Sequence, residues 1–201
     1  MKPQKKLSRT FYTRDVHIVA KELLGKFLVR KTGRKYLIGK IVEVEAYDGS
    51  IDKAAHTYGG KTKRNEVMFK EGGYLYVYFT YGMHFCSNVV AGKLNEGKAI
   101  LLRAVEPVNC LDEMAINRFK KKEISSVELK NLTNGPAKIC QAFGIARSEN
   151  GTDLTRNEIF ILDAPKPSTN KIAASTRIGI KKSVDLPWRY YIKNNYFLSR
   201  K

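Results

Sequence analysis

Two stretches, Ile41-Val42-Glu43-Val44-Glu45-Ala46-Tyr47 and Tyr74-Leu75-Tyr76-Val77-Tyr78-Phe79-Thr80-Tyr81-Gly82, read as facing strands around which the chain is organised. The first alternates apolar and polar residues, the period of a half-buried strand. Successive side chains leave a strand on opposite faces, so Val42, Val44 and Ala46 share one face and Glu43, Glu45 and Tyr47 the other. A carboxylate and an aromatic ring thus project from one surface. The second stretch puts Tyr74, Tyr76 and Tyr78 on one face and Leu75, Val77 and Phe79 on the other. Tyr81-Gly82 reads as a turn, because glycine tolerates the positive φ of tight hairpins. A tyrosine at a turn tip is placed for contact rather than for a core.

Outward from these strands, 201 residues suffice for one domain with a sizeable core. No apolar run is long enough for a bilayer, and no apolar region follows the basic start, Met1 to Lys6, as a secretory signal would require. A cytoplasmic protein is expected, without membrane association. Cys86, Cys110 and Cys140 are odd in number and widely spaced, which fits buried thiols rather than a disulfide framework or a zinc site. Against 19 Asp and Glu stand 37 Lys and Arg, a net charge of +18. That balance argues for a polyanionic partner, most simply nucleic acid. An anionic membrane would serve electrostatically, but no strongly basic amphipathic helix is present to lie on it. A lysine-rich solvated surface is the bland alternative.

In chain order, residues 1–10 read as a loose basic N-terminus and residues 11–201 as a single domain. Thr13 caps a helix whose apolar face is Val16, Val19, Ala20, Leu23 and Leu24, and Gly25 stops it. Strands follow over 26–30 and 36–47. Residues 51–73 read as an irregular loop, and a long loop joining two such strands is expected to be functional. Further strands are expected over 85–90, 98–105, 158–162, 177–180 and 190–192, with 164–174 a loop. Asn109 caps a helix lined by Leu111, Met114, Ala115 and Phe119, and Lys120-Lys121-Lys122 ends it as a solvated run. Asn134-Gly135-Pro136 opens another helix, with proline where its missing N–H costs nothing, and Gly144 closes it.

A carboxylate on a strand usually belongs to a solvated face, and that reading is kept for Glu43. Glu45 differs because Tyr47 shares its face and the loop carrying His56 returns nearby. Partial desolvation raises a carboxyl's pKa and rings exclude bulk water, conditions suited to a general base. Same-face neighbours on one strand do not flank a scissile bond, which counts against two-carboxylate glycoside hydrolysis.

At this point the chain resembles a known family. Val42-Glu43-Val44-Glu45-Ala46-Tyr47, Ala54-Ala55-His56, Tyr76 to Met83 and Cys86-Ser87-Asn88 look like the alkyladenine (3-methyladenine) DNA glycosylases of bacteria and mammals, distinct from the helix-hairpin-helix glycosylases. The match continues through Leu101 to Pro107, Asn134-Gly135-Pro136-Ala137-Lys138, Arg177-Ile178-Gly179 and Pro187-Trp188-Arg189-Tyr190-Tyr191. No single motif is decisive; the ordered set is specific. Lys63 departs from the proline of mammalian members and Ile139 from the usual leucine.

The resemblance implies an α+β fold with a curved, mainly antiparallel sheet surrounded by helices. It implies a monomeric enzyme, free of cofactor and metal, that flips damaged purines out of double-stranded DNA and hydrolyses the N-glycosidic bond. Glu45 matches the residue that activates water, and Arg103 a position beside it that helps place water or phosphate. Tyr47, His56 and Tyr78 match the residues that stack on the flipped base, and such rings favour cationic alkylated purines. Asn88 matches the pocket floor that crowds the 2-amino group of guanine. Tyr81 matches the side chain wedged into the duplex, which offsets part of the unstacking cost. Arg64 and Lys138 are candidate phosphate contacts; for Lys138 a plain helix cap is an equal alternative. No lysine stands where the family uses a nucleophile, so water attack without strand cleavage is expected. Taken singly, His56, Tyr78, Asn88 and Arg103 read as ordinary loop or strand residues; their joint order on a basic chain reverses that. The rivals are an idle nucleic-acid-binding protein and a hydrolase of free nucleosides.

Overall fold

The structure is a computed structural model that describes residues 5–200. Helices α1 (Arg9–Tyr12) and α2 (Val16–Leu23) precede the hairpin β1 (Phe27–Thr32) and β2 (Lys35–Asp48). A long loop leads to β3 (Leu75–Thr80), β4 (His84–Ala91) and β5 (Lys98–Asn109), then to α3 (Leu111–Phe119), α4 (Ser126–Lys130) and α5 (Pro136–Phe143). Three short strands complete the chain: β6 (Ile159–Leu162), β7 (Ile172–Ser175) and β8 (Arg189–Ile192). The fold is α+β, with one strongly curled antiparallel sheet in the order β3-β4-β5-β2-β1-β6 and β8 joining β2 to β7.

β2 is the spine. Its first half pairs with β1 and its second with β8, while β5 runs along the other edge. The register between β2 and β5 shifts around Glu43, where Ile41 faces Val105, Glu43 faces Ala104 and Val44 faces Leu102. This bulge reverses the faces of β2. Before it, Leu37 and Ile41 enter the main core; after it, Val44 and Ala46 do. Val42 is buried but lies outside that cluster, so it does not continue the face of Val44 and Ala46 as simple alternation predicts. The odd-numbered positions from Glu43 onward are thereby released from the core. Gly39 sits where the layers are closest. A Cβ there would stand 2.8 Å from Val105 Cγ2 and 3.2 Å from the Phe143 ring.

Helices α2 and α5 cover one face of the sheet, with α3 against α5, and the main core lies between. Leu75 and Val77 join that core, whereas Tyr76 packs with Val67, Met68, Val90 and Ala99 on the opposite face, beneath the long loop. The two ends of the main strand path are covered. Leu7 N–H donates to Ile161 O at 2.9 Å along β6, and Gly151 N–H to Leu75 O at 2.7 Å along β3.

Several local expectations are corrected. The segment expected to be loose is placed from Lys5 onward: Lys6 bridges Leu162, Leu7 is buried and α1 starts at Arg9; residues 1–4 lie outside the described residues. Asp15, not Thr13, caps α2, because its carboxylate accepts from His17 N and Ile18 N. Cys110, at φ 56°, precedes α3; Asn109 instead ends β5 and donates to Tyr36 O. β5 runs on past Val105, and β7 begins inside the stretch read as a loop, because β8 offers it an edge. Residues 177–180 form no strand: their backbone turns over the opposite sheet face, with Gly179 at φ 78°. Helix α4, held by the Ser125/Glu128 capping box, was not foreseen. Helix α5 has Pro136 in its first turn and ends at Gly144, as expected.

Candidate active site

The sheet face opposite the helices opens into a cleft of about 620 Å³. Its wall comes from Tyr47, Tyr78, Cys86, Leu101 and Arg103 on the strands, His56 and Arg64 on the long loop, and 178–182 on the loop before β8. A larger groove of about 1210 Å³ between the N-terminal segment and residues 163–166 has only one aromatic ring, Phe11. The chemistry-bearing groups converge in the smaller cleft.

Glu45 lies at its base, fully buried. Its Oε2 accepts the Tyr47 hydroxyl at 2.9 Å, and its Oε1 accepts the Ile178 backbone N–H at 2.7 Å. Arg103 Nη1 stands 3.3 Å from Oε1. A carboxylate has about four acceptor sites, and among the described residues Oε2 keeps one free. Burial first, then the charge of Glu45, raises the Tyr47 pKa well above its usual value, so the phenol stays a donor.

Tyr47 is fixed from behind. The Arg177 guanidinium stacks 4.6 Å from its ring centroid and 5.2 Å from that of Trp188. Arg177 and Asp52 form a pair with both side chains at 0% exposure; Arg177 Nη2 donates to Asp52 Oδ1 at 2.8 Å, Nη1 donates to Oδ2, and Nη1 also reaches Ala46 O at 3.0 Å. Burial alone would lower the Arg177 pKa; hydrogen bonds and charge from Asp52 reverse that and raise it.

On the facing wall, His56 and Tyr78 meet edge-on with centroids 4.6 Å apart, and Tyr76 stacks on Tyr78 at 5.6 Å. His56 Nδ1 pairs with the Tyr76 hydroxyl at 3.1 Å. The long loop holds its shape through Asn65, whose Nδ2 donates to His56 O at 2.8 Å and Gly60 O at 3.0 Å. Burial and then the Arg64 charge push the His56 pKa below 6.5, so its ring is neutral at pH 7.

Tyr81 stands at the β3–β4 hairpin tip, 83% exposed and at φ 51°, followed by Gly82 at φ 68°. A bulky side chain with positive φ is strained by about 1–2 kcal/mol, and an observed outlier of this kind at a rim points to a contact role. Lys53, Arg64, Lys181 and Lys182 line the cleft, and among the described residues no Asp or Glu stands on its wall above the buried Glu45.

Tyr47, His56, Tyr78, Arg103, Arg64 and Tyr81 are therefore brought together around the cleft, with Glu45 beneath it. Asn88 faces the same side beside Tyr76, donating to Tyr76 O at 3.3 Å, but Cys86 and Leu101 occupy the wall instead. Lys138 lies apart: its Nζ donates to Asn131 Oδ1 at 2.9 Å and Asn134 Oδ1 at 2.6 Å. Glu43 overturns the solvated-face reading. It is fully buried and receives Arg189 Nε at 2.7 Å, Arg103 Nε at 3.3 Å and Ser199 Oγ at 2.7 Å. The residues not foreseen are Asp52, Arg177 as the support of Tyr47, and the Ile178 amide. Their only signal was Arg177-Ile178-Gly179 read as a motif. No group of three or more His, Cys, Asp or Glu side chains converges as a metal site among the described residues, and no helix there is long and apolar enough to cross a membrane.

A family model described as "Methylpurine-DNA glycosylase (MPG)" matches residues 10–196. A protein of Clostridium novyi (strain NT) is 47% identical over 203 residues, covering 98% of this chain and 100% of its own length. One of Clostridium botulinum is 48% identical over 202 residues, covering 97% and 99%. One of Carboxydothermus hydrogenoformans is 49% identical over 196 residues, covering 97% and 99%. Each of the three is named "Putative 3-methyladenine DNA glycosylase".

Proposed function

The chain belongs to the methylpurine-DNA glycosylase family, and from that premise we propose that its cleft receives a damaged purine turned out of duplex DNA and releases it by hydrolysis. The observation that carries the proposal is Glu45: a buried carboxylate held at both oxygens, with one acceptor site left on Oε2, under a cleft of aromatic rings.

In this reading water bonds to that free site, gives its proton toward Glu45 and attacks the anomeric carbon of the sugar. The C1′–N bond breaks and the purine leaves. Tyr47 and the Ile178 amide keep the carboxylate oriented, and Arg103 fixes one of its oxygens. Tyr47 faces one side of the base, and the His56–Tyr78 pair the other. A neutral His56 suits a positively charged alkylated purine, which its cationic form would repel. An alkylated cationic purine leaves as a neutral base and needs no separate acid; hypoxanthine and ethenoadenine, neutral in DNA, leave with the bonding electron pair as anions and take up a proton from solvent water. Tyr81 enters the duplex and fills the vacated position. Lys53, Arg64, Lys181 and Lys182 hold the flanking phosphates. No lysine nucleophile takes part, so the product is an abasic site in an uncut strand. The proposed substrates are 3-methyladenine, 7-methylguanine, hypoxanthine and ethenoadenine in duplex DNA; the enzyme acts as a monomer where the DNA is.

Single-turnover excision tests this, using oligonucleotide duplexes with one hypoxanthine or ethenoadenine, and alkylated DNA for the methylated bases. Wild type should leave an abasic site. Glu45→Gln should bind the damaged duplex and leave the base attached. Equal rates for the two would remove Glu45 from the chemistry; no release of any lesion by wild type would reject the reading.

A further inference from the structure

Glu43 precedes Glu45 by two positions on the same face of β2 and is equally buried, yet water activation calls for a single carboxylate. What Glu43 does hold is Arg103. The Arg103 guanidinium spans the two carboxylates, with Nε 3.3 Å from Glu43 Oε1 and Nη1 3.3 Å from Glu45 Oε1. Ser199, 156 residues along the chain from Glu43, completes the arrangement from the far end of the fold. Its backbone N–H donates to Glu43 Oε2 at 2.7 Å and its hydroxyl to Glu43 Oε1 at 2.7 Å. The same hydroxyl oxygen accepts from Arg103 Nε and Nη2, each at 3.4 Å. Arg189 supplies the remaining charge, with Nε at 2.7 Å from Glu43 Oε1 and Nη2 on the Arg200 carbonyl at 2.8 Å.

We propose that Ser199 and Glu43 are positioning residues: the segment around Ser199 latches onto Glu43, and Glu43 holds Arg103 back so that it touches Glu45 with one nitrogen only. The inference rests on the glycosylase reading of the cleft. Its physical content is a competition. A guanidinium can grip a carboxylate with two parallel hydrogen bonds. An Arg103 released from Glu43 and Ser199 would rotate into that grip on Glu45 and take the acceptor site that the attacking water needs. Glu43 draws the Nε edge of Arg103 away, and Ser199 fixes Glu43 through both of its oxygens. The local charges balance, Glu43 and Glu45 against Arg103 and Arg189, so the latch costs no net buried charge. Neither Ser199 nor Glu43 lines the cleft, so neither touches the base.

The test is Ser199→Ala in the full chain, with Ser199→Thr as the conservative variant, measured by single-turnover excision of hypoxanthine and by damaged-duplex affinity. A loss of geometry of up to an ångström at Arg103 costs roughly 10- to 100-fold in rate. Ser199→Ala should lose about that much, keep duplex affinity within about threefold and lower the melting temperature by no more than about 10 °C, the effect of one short donated and two long accepted hydrogen bonds in a chain of this size. Ser199→Thr, which keeps both donors, should restore the rate. Glu43→Gln should lose at least as much as Ser199→Ala wherever it folds. A wild-type rate in Ser199→Ala would overturn the latch, as would a loss that Ser199→Thr repeats or one that tracks a fall in affinity. An active wild type beside an equally active Ser199→Ala sinks the latch alone; an inactive wild type sinks the glycosylase reading and the latch with it.

Discussion

Replacing Arg177 with methionine should destabilise the protein by about 3–5 kcal/mol, the cost of breaking a buried ion pair and leaving one member behind. Methionine fills much of the same space against Tyr47 and Trp188 but supplies none of the donors. Asp52 would keep only the Ala54 N–H at 2.9 Å, and Ala46 O would lose its 3.0 Å donor. For a chain of this length about 1 kcal/mol moves the melting temperature by roughly 2–4 °C, so the expected fall is roughly 6–20 °C. Urea unfolding at pH 7 reads the free energy directly, and an unchanged m-value would show that the denatured state is unaltered. The decisive comparison is the double variant Arg177→Met with Asp52→Ala. Removing both charges relieves the orphaned carboxylate, so the double variant should be more stable than the sum of the singles predicts by about 1–3 kcal/mol. Strict additivity, or a single-variant cost below about 1 kcal/mol, would refute the view that this pair anchors the wall behind Tyr47.

Tyr81→Gly should leave stability unchanged or raise it by up to about 1.5 kcal/mol, because relief of a positive φ, about 1–2 kcal/mol, outweighs or matches glycine's chain entropy, about 0.5–1 kcal/mol. Excision from duplex DNA should fall in the same variant, and a full wild-type rate would deprive Tyr81 of its wedge role. The lowered pKa values of His17 and His56 give stability a pH dependence. Burial holds both below 6.5, so the folded state binds fewer protons than the unfolded one. Their contribution is intact above pH 6.5 and is lost as pH falls through the folded values, at up to ~1.4 kcal/mol per pH unit for each group. Melts between about pH 7 and pH 5 should show this, and His17→Gln with His56→Gln should flatten it. DNA affinity should drop steeply with salt, and alanine at Lys53, Arg64, Lys181 or Lys182 should each reduce the log–log slope by about 1; an unchanged slope in all four would remove them from the phosphate interface.

What was legible in the sequence was what local physics dictates. The apolar alternation of β3, the hairpin at Tyr81-Gly82, and the Pro136-to-Gly144 helix need only neighbours a few positions apart. So does the pairing of Glu45 with Tyr47, which share a face. Glu43 was misread because its burial depends on Arg189 and Ser199, 146 and 156 residues further along, and no local pattern announces them. Asp52 and Arg177 were missed for the same reason. Residues 177–180 carry a strand-like composition, but the Ile178 N–H is used on Glu45 rather than in a ladder. Thr13 and Asn109 had the right chemistry for caps; Asp15 and the left-handed Cys110 stand at the actual helix starts. Asn88 and Lys138, named by resemblance, take their places from packing: Asn88 donates to Tyr76 O beside the cleft, and Lys138 donates to Asn131 and Asn134 next to the start of α5.

The bulge at Glu43 divides β2 into two reading frames. Upstream, odd positions belong to the interior; downstream, even positions do. A length change downstream of the bulge is therefore a frameshift in space. Deleting Val42 would remove the extra residue and restore a continuous period of two with Ile41, Val44 and Ala46 still inward, whereas deleting Val44 would carry Glu45 and Tyr47 into the apolar layer and turn Ala46 toward the cleft. No substitution at the cleft could repair that, because every later side chain of β2 would be inverted at once. The same deletion beside Gly33, at the exposed β1–β2 turn, would shorten a hairpin and leave the frame downstream to be set by β5 and β8. Between the bulge and Tyr47 the number of residues therefore matters as much as their type.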